Sequence, residues 1–220
     1  FDLALIHNRL TRPLGEYFLG VLMVNQRAAG GNTAFFLGEV SSKGSRLYFP
    51  LLYIVKESLV LHILTVIALF AGWRRWRASP PDSKSSHARI RMWIYNHFPE
   101  FSMIALISFY WLISITSPLN IGIRHVLPTF PFIYIIVSRG YSVWLSETKR
   151  IPTTPLKYAA LSILLLWLVI ETAITYPHFL SYYNVLAGGT DNGYTIATDS
   201  NYDWGQDFYR LTQFIQDNSI

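Results

Sequence analysis

The sequence predicts an all-α membrane protein with about four transmembrane helices, outer-face loops and a short outer segment at the C-terminus. Four apolar stretches support this fold class, and they run over residues 51–73, 98–116, 127–145 and 158–174. Each is close to the roughly 20 residues that a helix needs to cross the hydrocarbon core of a bilayer. A hydrophobic fraction of 51% is compatible with a soluble domain, so the grouping into long stretches decides the class.

Lysine and arginine are concentrated in every second gap between these stretches. The basic gaps are the loops at 74–97 and 146–157. Short loops rich in Lys and Arg stay on the cytoplasmic side of a membrane. The sequence therefore predicts a multi-pass protein of the cell membrane, with the segment 1–46, the turn 117–124 and the tail 176–220 on the outer side.

This topology divides the chain into an outer-face segment at 1–46, a four-span region at 47–175 and an outer-face tail at 176–220. The first segment should hold a short interfacial helix around residues 17–24, ended by the glycine pair Gly30-Gly31. Residues 78–86 have the serine- and proline-rich composition of a linker. Because the chain begins with Phe and shows no signal-peptide pattern, we expect it to be the C-terminal part of a longer polytopic protein.

The composition also restricts the partners. A net charge of +5 would suggest nucleic acid only if the basic residues lay among aromatic residues on a soluble face. Here they flank apolar stretches, where they set topology and contact anionic lipid headgroups. Membrane lipids are therefore expected partners and nucleic acid is not. The absence of cysteine excludes disulfides and Cys-ligated zinc.

Arg124 and His125 follow the outer turn and precede the third apolar stretch. An arginine offers a planar set of donors that suits phosphate oxygens. The alternative is that Arg124 extends to the membrane interface and His125 only caps the turn. Pro128 and Pro131 follow, and they predict either an ordinary kink or a broken helix start that faces a cavity.

Ionisable residues inside apolar stretches are costly and are hypotheses for function by default. Lys56 could contact a lipid phosphate, or it could form a hydrated pair with Glu57. His62 is predicted to hydrogen-bond between helices rather than to act as a base. Glu171, near the outer end of the fourth stretch, is a further candidate carboxylate.

The tail sequence DSNYDWGQD at 199–207 begins like a calcium loop but lacks the glycine and the final glutamate that such a loop needs. No metal site is therefore predicted. Asp199, Asn201, Asp203 and Trp204 could instead bind a sugar or an acceptor. The alternative is the start of an amphipathic helix over 203–216, with Asp203 as its N-cap. The apolar face of that helix would contain Phe208, Leu211, Phe214 and Ile215.

Several stretches, taken together and in order, resemble one family. They are GNTAFFLGE at 31–39 with YFP at 48–50 and Lys56, NIGIRHVLP at 120–128, and YPHFLSYYN at 176–184 followed by Gly188-Gly189 and the tail sequence at 199–207. This pattern resembles the C-terminal half of bacterial polytopic glycosyltransferases of the GT-C type, which are related to the protein O-mannosyltransferases. The chain departs from the family at 44–46, where relatives tend to carry aromatic residues.

The resemblance implies an inverting sugar transfer on the outer face, from a polyprenyl-phosphate donor to a glycan, lipid or protein acceptor. It implies that Lys56, Arg124 and His125 contact the donor phosphate, and that no cofactor is needed. In the family the catalytic base lies in an upstream outer loop. No catalytic residue is therefore assigned here, and the catalytic N-terminal part is expected outside this chain.

Two other functions remain open at this stage. A non-catalytic membrane scaffold or subunit would keep the outer pocket and lack the base. A transporter for a lipid or sugar would show two matching halves with interrupted spans, and the four unequal stretches show no such symmetry.

Overall fold

The computed structural model describes residues 7, 9–78, 86–146 and 154–219. Within them the protein is all-α, apart from one small β-hairpin. Most of the predicted linker at 78–86, together with Lys149 and Arg150 of the second basic loop, lies outside the described residues. The helices are α1 (Arg12–Gly30), α2 (Tyr48–Lys56), α3 (Leu59–Ala78), α4 (Ser86–Asn96), α5 (Phe98–Thr116), α6 (Phe130–Ser146), α7 (Thr154–Thr175) and α8 (Phe208–Asp217).

The single helix predicted over 51–73 is in fact two helices, α2 and α3. Glu57 has extended backbone at the end of α2, and the Ser58 hydroxyl accepts a hydrogen bond from the Val60 N–H at the start of α3. The Asn184 side chain donates to the carbonyl oxygens of Ile54 and Glu57, at 2.7 and 2.8 Å. These bonds satisfy carbonyl groups that a continuous helix would have used internally.

Three helices are long and apolar enough to cross a membrane: Leu59–Ala78, Phe98–Thr116 and Pro155–Thr175. In the most apolar part of Pro155–Thr175, none of the residues is buried inside the protein. A long helix whose apolar side chains are exposed on every side is suited to a lipid environment. The structure thus supports membrane association.

The third apolar stretch, at 127–145, does not qualify as a span by length. Its first residues, Leu127–Thr129, form a 3-10 turn, and the 17 residues of α6 cover only about 26 Å at 1.5 Å per residue. Pro128 lies in that turn and Pro131 in the first turn of α6, where a missing N–H breaks no hydrogen bond. The two prolines therefore mark the start of the helix and do not kink its interior.

The helices α3 and α6 approach each other closely at Ala68 and Gly140. A Cβ atom placed on Gly140 would lie 2.6 Å from the Ala68 Cβ, so this contact requires glycine. Small residues at a crossing point allow such close packing of helices in membranes.

The main hydrophobic core lies outside the three long apolar helices, in a compact region that we call the outer cap after the side on which the sequence predicts it. Its buried residues come from α2, the turns after α5 and the tail, and include Phe49, Leu52, Val126 and Tyr183. The hairpin of β1 (Ala34–Phe36) and β2 (Glu39–Ser41) joins this core through an antiparallel bridge from Phe36 to Ala197. Because these residues come from positions far apart in sequence, the outer cap fixes the relative placement of the polar segments.

Two further helices differ from their predicted extents. The short helix expected around 17–24 is the 19-residue α1, which ends at Gly30 where Gly31 takes a positive φ of 74°. The tail helix begins at Phe208 rather than Asp203, and its N-cap residue is Asp207, so the predicted N-cap is wrong. Asp203 instead accepts a hydrogen bond from the Gly205 N–H in the turn that precedes α8.

Candidate functional site

The outer cap brings the three separated segments of the family-like pattern into contact. Asn201 in the tail accepts a hydrogen bond from the Ile123 N–H at 3.1 Å and donates to the Tyr48 hydroxyl at 3.1 Å. The neighbouring Ser200 hydroxyl donates to the Ile121 carbonyl oxygen at 2.6 Å. Gly122 allows this close approach for two reasons. A Cβ atom at position 122 would clash with the Ser200 side chain, and the φ of Gly122 is 92°, a backbone conformation that favours glycine.

Arg124 and Trp204 form the exposed part of this junction. The Arg124 guanidinium lies over the Trp204 ring, 5.3 Å from the ring centroid, and its Nε donates to the Ile121 carbonyl oxygen. The Trp204 ring is itself held in place, because its Nε1 donates to the Ser200 carbonyl oxygen at 2.6 Å. No carboxylate forms an ion pair with Arg124 within the described parts of the chain. The result is an oriented, solvent-exposed cation suited to an anionic ligand.

Asp199 lies in the same junction in an uncommon backbone conformation. Its φ of 57° is in the left-handed region, which costs free energy for a residue with a side chain. Asp199 is exposed, and both it and Arg124 act electrostatically on the buried Tyr48 phenol, whose pKa is raised chiefly by burial. An exposed acidic side chain and an exposed guanidinium thus both lie within electrostatic range of Tyr48.

His125 is only partly exposed and packs between aromatic rings. Its ring centroid lies 5.5 Å from that of Phe49 and 6.0 Å from that of Tyr110. Burial lowers the pKa of His125 below its usual value of 6.5, so the imidazole is neutral at pH 7. In this state it can donate one hydrogen bond to a phosphate but supplies no positive charge.

Lys56 does not point freely into solvent, nor does it pair with Glu57. Its Nζ donates to the carbonyl oxygens of Leu180 and Asn201, at 2.9 and 2.6 Å. It also lies over the Tyr183 ring, 4.2 Å from the centroid. Burial lowers the pKa of Lys56 to about 7. This lysine ties the tail to α2, so its ammonium group is largely committed to protein partners.

Lys56 also borders a polar cleft of roughly 200 Å³ at the break between α2 and α3. Glu171, from α7, lines the cleft and accepts hydrogen bonds from the hydroxyls of Ser58 and Tyr182. Glu57 lines it too, and burial raises the pKa of Glu57 to about 7. The sequence pointed to Lys56 with Glu57 and, separately, to Glu171, whereas the structure shows that all three border the same cleft.

His62 lies deeper, on α3, and hydrogen-bonds to α2. Its Nε2 is 3.0 Å from the Ile54 carbonyl oxygen, and its ring contacts Tyr53. This geometry agrees with the helix-to-helix contact that the sequence favoured over a catalytic role.

The four predicted tail residues have different environments. Asn201 is fully buried, and its side chain is used in bonds to Ile123, Tyr48 and Thr198. Asp199, Asp203 and Trp204 are exposed and remain accessible to a ligand. Sequence reasoning missed the structural role of Asn184, which joins the tail to the α2–α3 break, because an isolated asparagine carries no local signal.

No group of three or more metal-ligating side chains occurs among the described residues. Comparison with protein-family models, with curated proteins and with solved structures found no match for this chain. The family resemblance therefore rests on the sequence pattern alone.

Proposed function

We propose that this chain is part of a membrane glycosyltransferase that takes sugar from a polyprenyl-phosphate donor on the outer face of the membrane. One observation carries the proposal: the three segments that resemble the GT-C pattern meet in the outer cap, where they present Arg124 on the Trp204 ring. The convergence supports a common site for these segments, because Asn201 bonds to Ile123 and Tyr48, which lie 78 and 153 positions earlier in the sequence.

In this proposal Arg124 binds the donor phosphate, because it is the exposed and permanently charged member of the predicted set. His125 adds a neutral hydrogen-bond donor, and Lys56 keeps the tail in position. Trp204 offers a ring face, and Asp199 and Asp203 offer carboxylates, for the hydroxyl groups of the sugar or of the acceptor.

The transfer itself would form a bond from an acceptor oxygen or nitrogen to the anomeric carbon. The bond from that carbon to the phosphate oxygen would break, and its electron pair would leave with the polyprenyl phosphate. Arg124 would stabilise the charge that develops on this phosphate. A carboxylate base, which we place in an upstream outer loop, would accept the acceptor proton.

The test is Arg124→Ala in the full-length protein, assayed in membranes with lipid-linked sugar donors. Removing a charge-assisted phosphate contact should lower turnover by about 10² to 10³-fold, while membrane insertion stays intact. Arg46→Ala is the matched control, since Arg46 is an exposed arginine just before α2, outside the predicted donor set.

Unchanged turnover in Arg124→Ala, with an active wild-type protein, would remove Arg124 from the donor site. If the wild type transferred no sugar from any polyprenyl-phosphate donor but still bound the donor, the chain would be a binding subunit rather than an enzyme.

A further inference from the structure

A second cavity lies at the opposite end of the bundle from the outer cap, where α3 ends in a run of arginines. It has a volume of roughly 600 Å³ and lies between α3, α4, α5 and α6. Its deep part is apolar, with a wall formed by Ala68, Ile104, Ile107, Ile133, Ile136 and Val137. A wall of this kind suits a hydrocarbon chain.

The mouth of this cavity is charged and aromatic. Arg75 and Arg139 line it together with the nearly buried Glu100, which forms an ion pair with Arg139. Three tryptophans also line the mouth: Trp73, Trp76 and Trp93. Indole rings and arginines are typical of the level at which lipid headgroups meet the hydrocarbon core.

Arg89 on α4 gives an independent indication of an anionic ligand. Its guanidinium lies over the Trp76 ring, 4.3 Å from the centroid, next to the mouth. The Nη2 of Arg89 is buried and has no hydrogen-bond partner among the described residues. A buried donor of this kind is rare in folded proteins and calls for an acceptor from a ligand.

We propose that this cavity binds one anionic phospholipid. An acyl chain lies along the apolar wall, and the phosphate accepts a hydrogen bond from Arg89 at the mouth. The charges favour an anion, since Glu100 is the single carboxylate among the described residues that line the cavity and it is already paired with Arg139, while Arg89 lies over Trp76 at the mouth. Basic pockets between transmembrane helices bind anionic headgroups for the same reason.

Glycine at position 72 allows a direct test of the cavity. Gly72 lines it, and a Cβ atom added there would have no atom within 4 Å. Gly72→Leu should therefore place a side chain in the cavity and obstruct the acyl chain, because the position of its Cβ is open. Gly20→Leu is the matched control, because Gly20 lies in helix α1 and has the same open space around it.

The experiment is native mass spectrometry of the full chain, stripped of lipid in detergent and reloaded with phosphatidylglycerol or phosphatidylcholine. The wild type and Gly20→Leu should retain one phosphatidylglycerol, and Gly72→Leu should retain none. Arg89→Gln should weaken phosphatidylglycerol binding by about tenfold or more, since a charge-assisted hydrogen bond is lost.

Two results would overturn the proposal. Equal retention of phosphatidylcholine and phosphatidylglycerol by the wild type would show an apolar crevice without headgroup recognition. Retention of phosphatidylglycerol by Gly72→Leu would place the lipid elsewhere. Circular dichroism and gel filtration would show whether Gly72→Leu folds. If it did not fold, Arg89→Gln would be the deciding variant. Undiminished phosphatidylglycerol binding by Arg89→Gln would refute the site.

Discussion

At the scale of single residues, Asn201 determines how the outer cap is assembled. It is fully buried, and its amide joins the tail to the turn after α5 through Ile123 and to α2 through Tyr48. The backbone carbonyl oxygen of Asn201 accepts a hydrogen bond from the Lys56 Nζ. One buried amide thus holds together three segments that are far apart in sequence. This is a structural role, and it differs from that of an exposed side chain that contacts a ligand.

Asn201→Ala should lower the free energy of unfolding by about 2 kcal/mol or more, because it leaves the buried Ile123 N–H without an acceptor. The measurement is thermal unfolding of the purified protein in detergent. Asn218→Ala is the control, since the exposed Asn218 amide donates only to the Phe214 carbonyl oxygen, and its change should stay within about 0.5 kcal/mol. Equal stability of the two variants would contradict the role given to Asn201.

At the scale of helices, the contact between α3 and α6 depends on the absence of a side chain at Gly140. A Cβ there would lie 2.6 Å from the Ala68 Cβ, closer than Cβ atoms approach other atoms in folded proteins, and 3.1 Å from the Ala68 Cα. The two helices pack at this point with backbone close to backbone. Adding even one methyl group must therefore move one helix away from the other.

Gly140→Ala should destabilise the helix pair by about 1–3 kcal/mol, which is the usual cost of inserting a methyl group into a close contact. Gly72→Ala, in the open part of α3, should be neutral or slightly stabilising, since alanine favours helix more than glycine does. Thermal unfolding of both variants measures the difference. A Gly140→Ala protein as stable as the Gly72→Ala protein would show that the helices separate without cost.

At the scale of the whole molecule, the polar groups are divided between two ends. The outer cap holds the buried core and the Arg124 site, whereas α3 ends in arginines beside the apolar cavity. On the charge rule we propose that the arginine-rich end faces the cytoplasm and that the outer cap faces outward. This two-sided topology is the condition on which the proposed outer-face function depends.

Single cysteines test this topology, because the chain has no cysteine of its own. Asp191→Cys, at an exposed tail position, should react with a membrane-impermeant maleimide in intact cells. His87→Cys, at an exposed position of α4, should react only after the cells are lysed. Equal labelling of both in intact cells would exclude the proposed sidedness.

The sequence by itself was sufficient for features that depend on local pattern. Apolar length predicted the membrane helices α5 and α7, and the glycine pair predicted the end of α1 at Gly30. These features follow from hydrophobicity and backbone freedom, which are properties of neighbouring residues. The extent of α8 was misjudged by five residues at its start, because an aspartate at either 203 or 207 can precede a helix.

Only the tertiary structure decided which polar side chains bond within the protein and which stay exposed. Periodicity could not show that the stretch at 51–73 breaks at Glu57, because Asn184, more than 120 residues later, satisfies the carbonyl groups freed by the break. In the same way, Lys56 and Asn201 bond to partners distant in sequence, while Arg124 stays exposed. Local composition sets which segments are apolar, but long-range hydrogen bonds determine which polar groups remain accessible to a ligand.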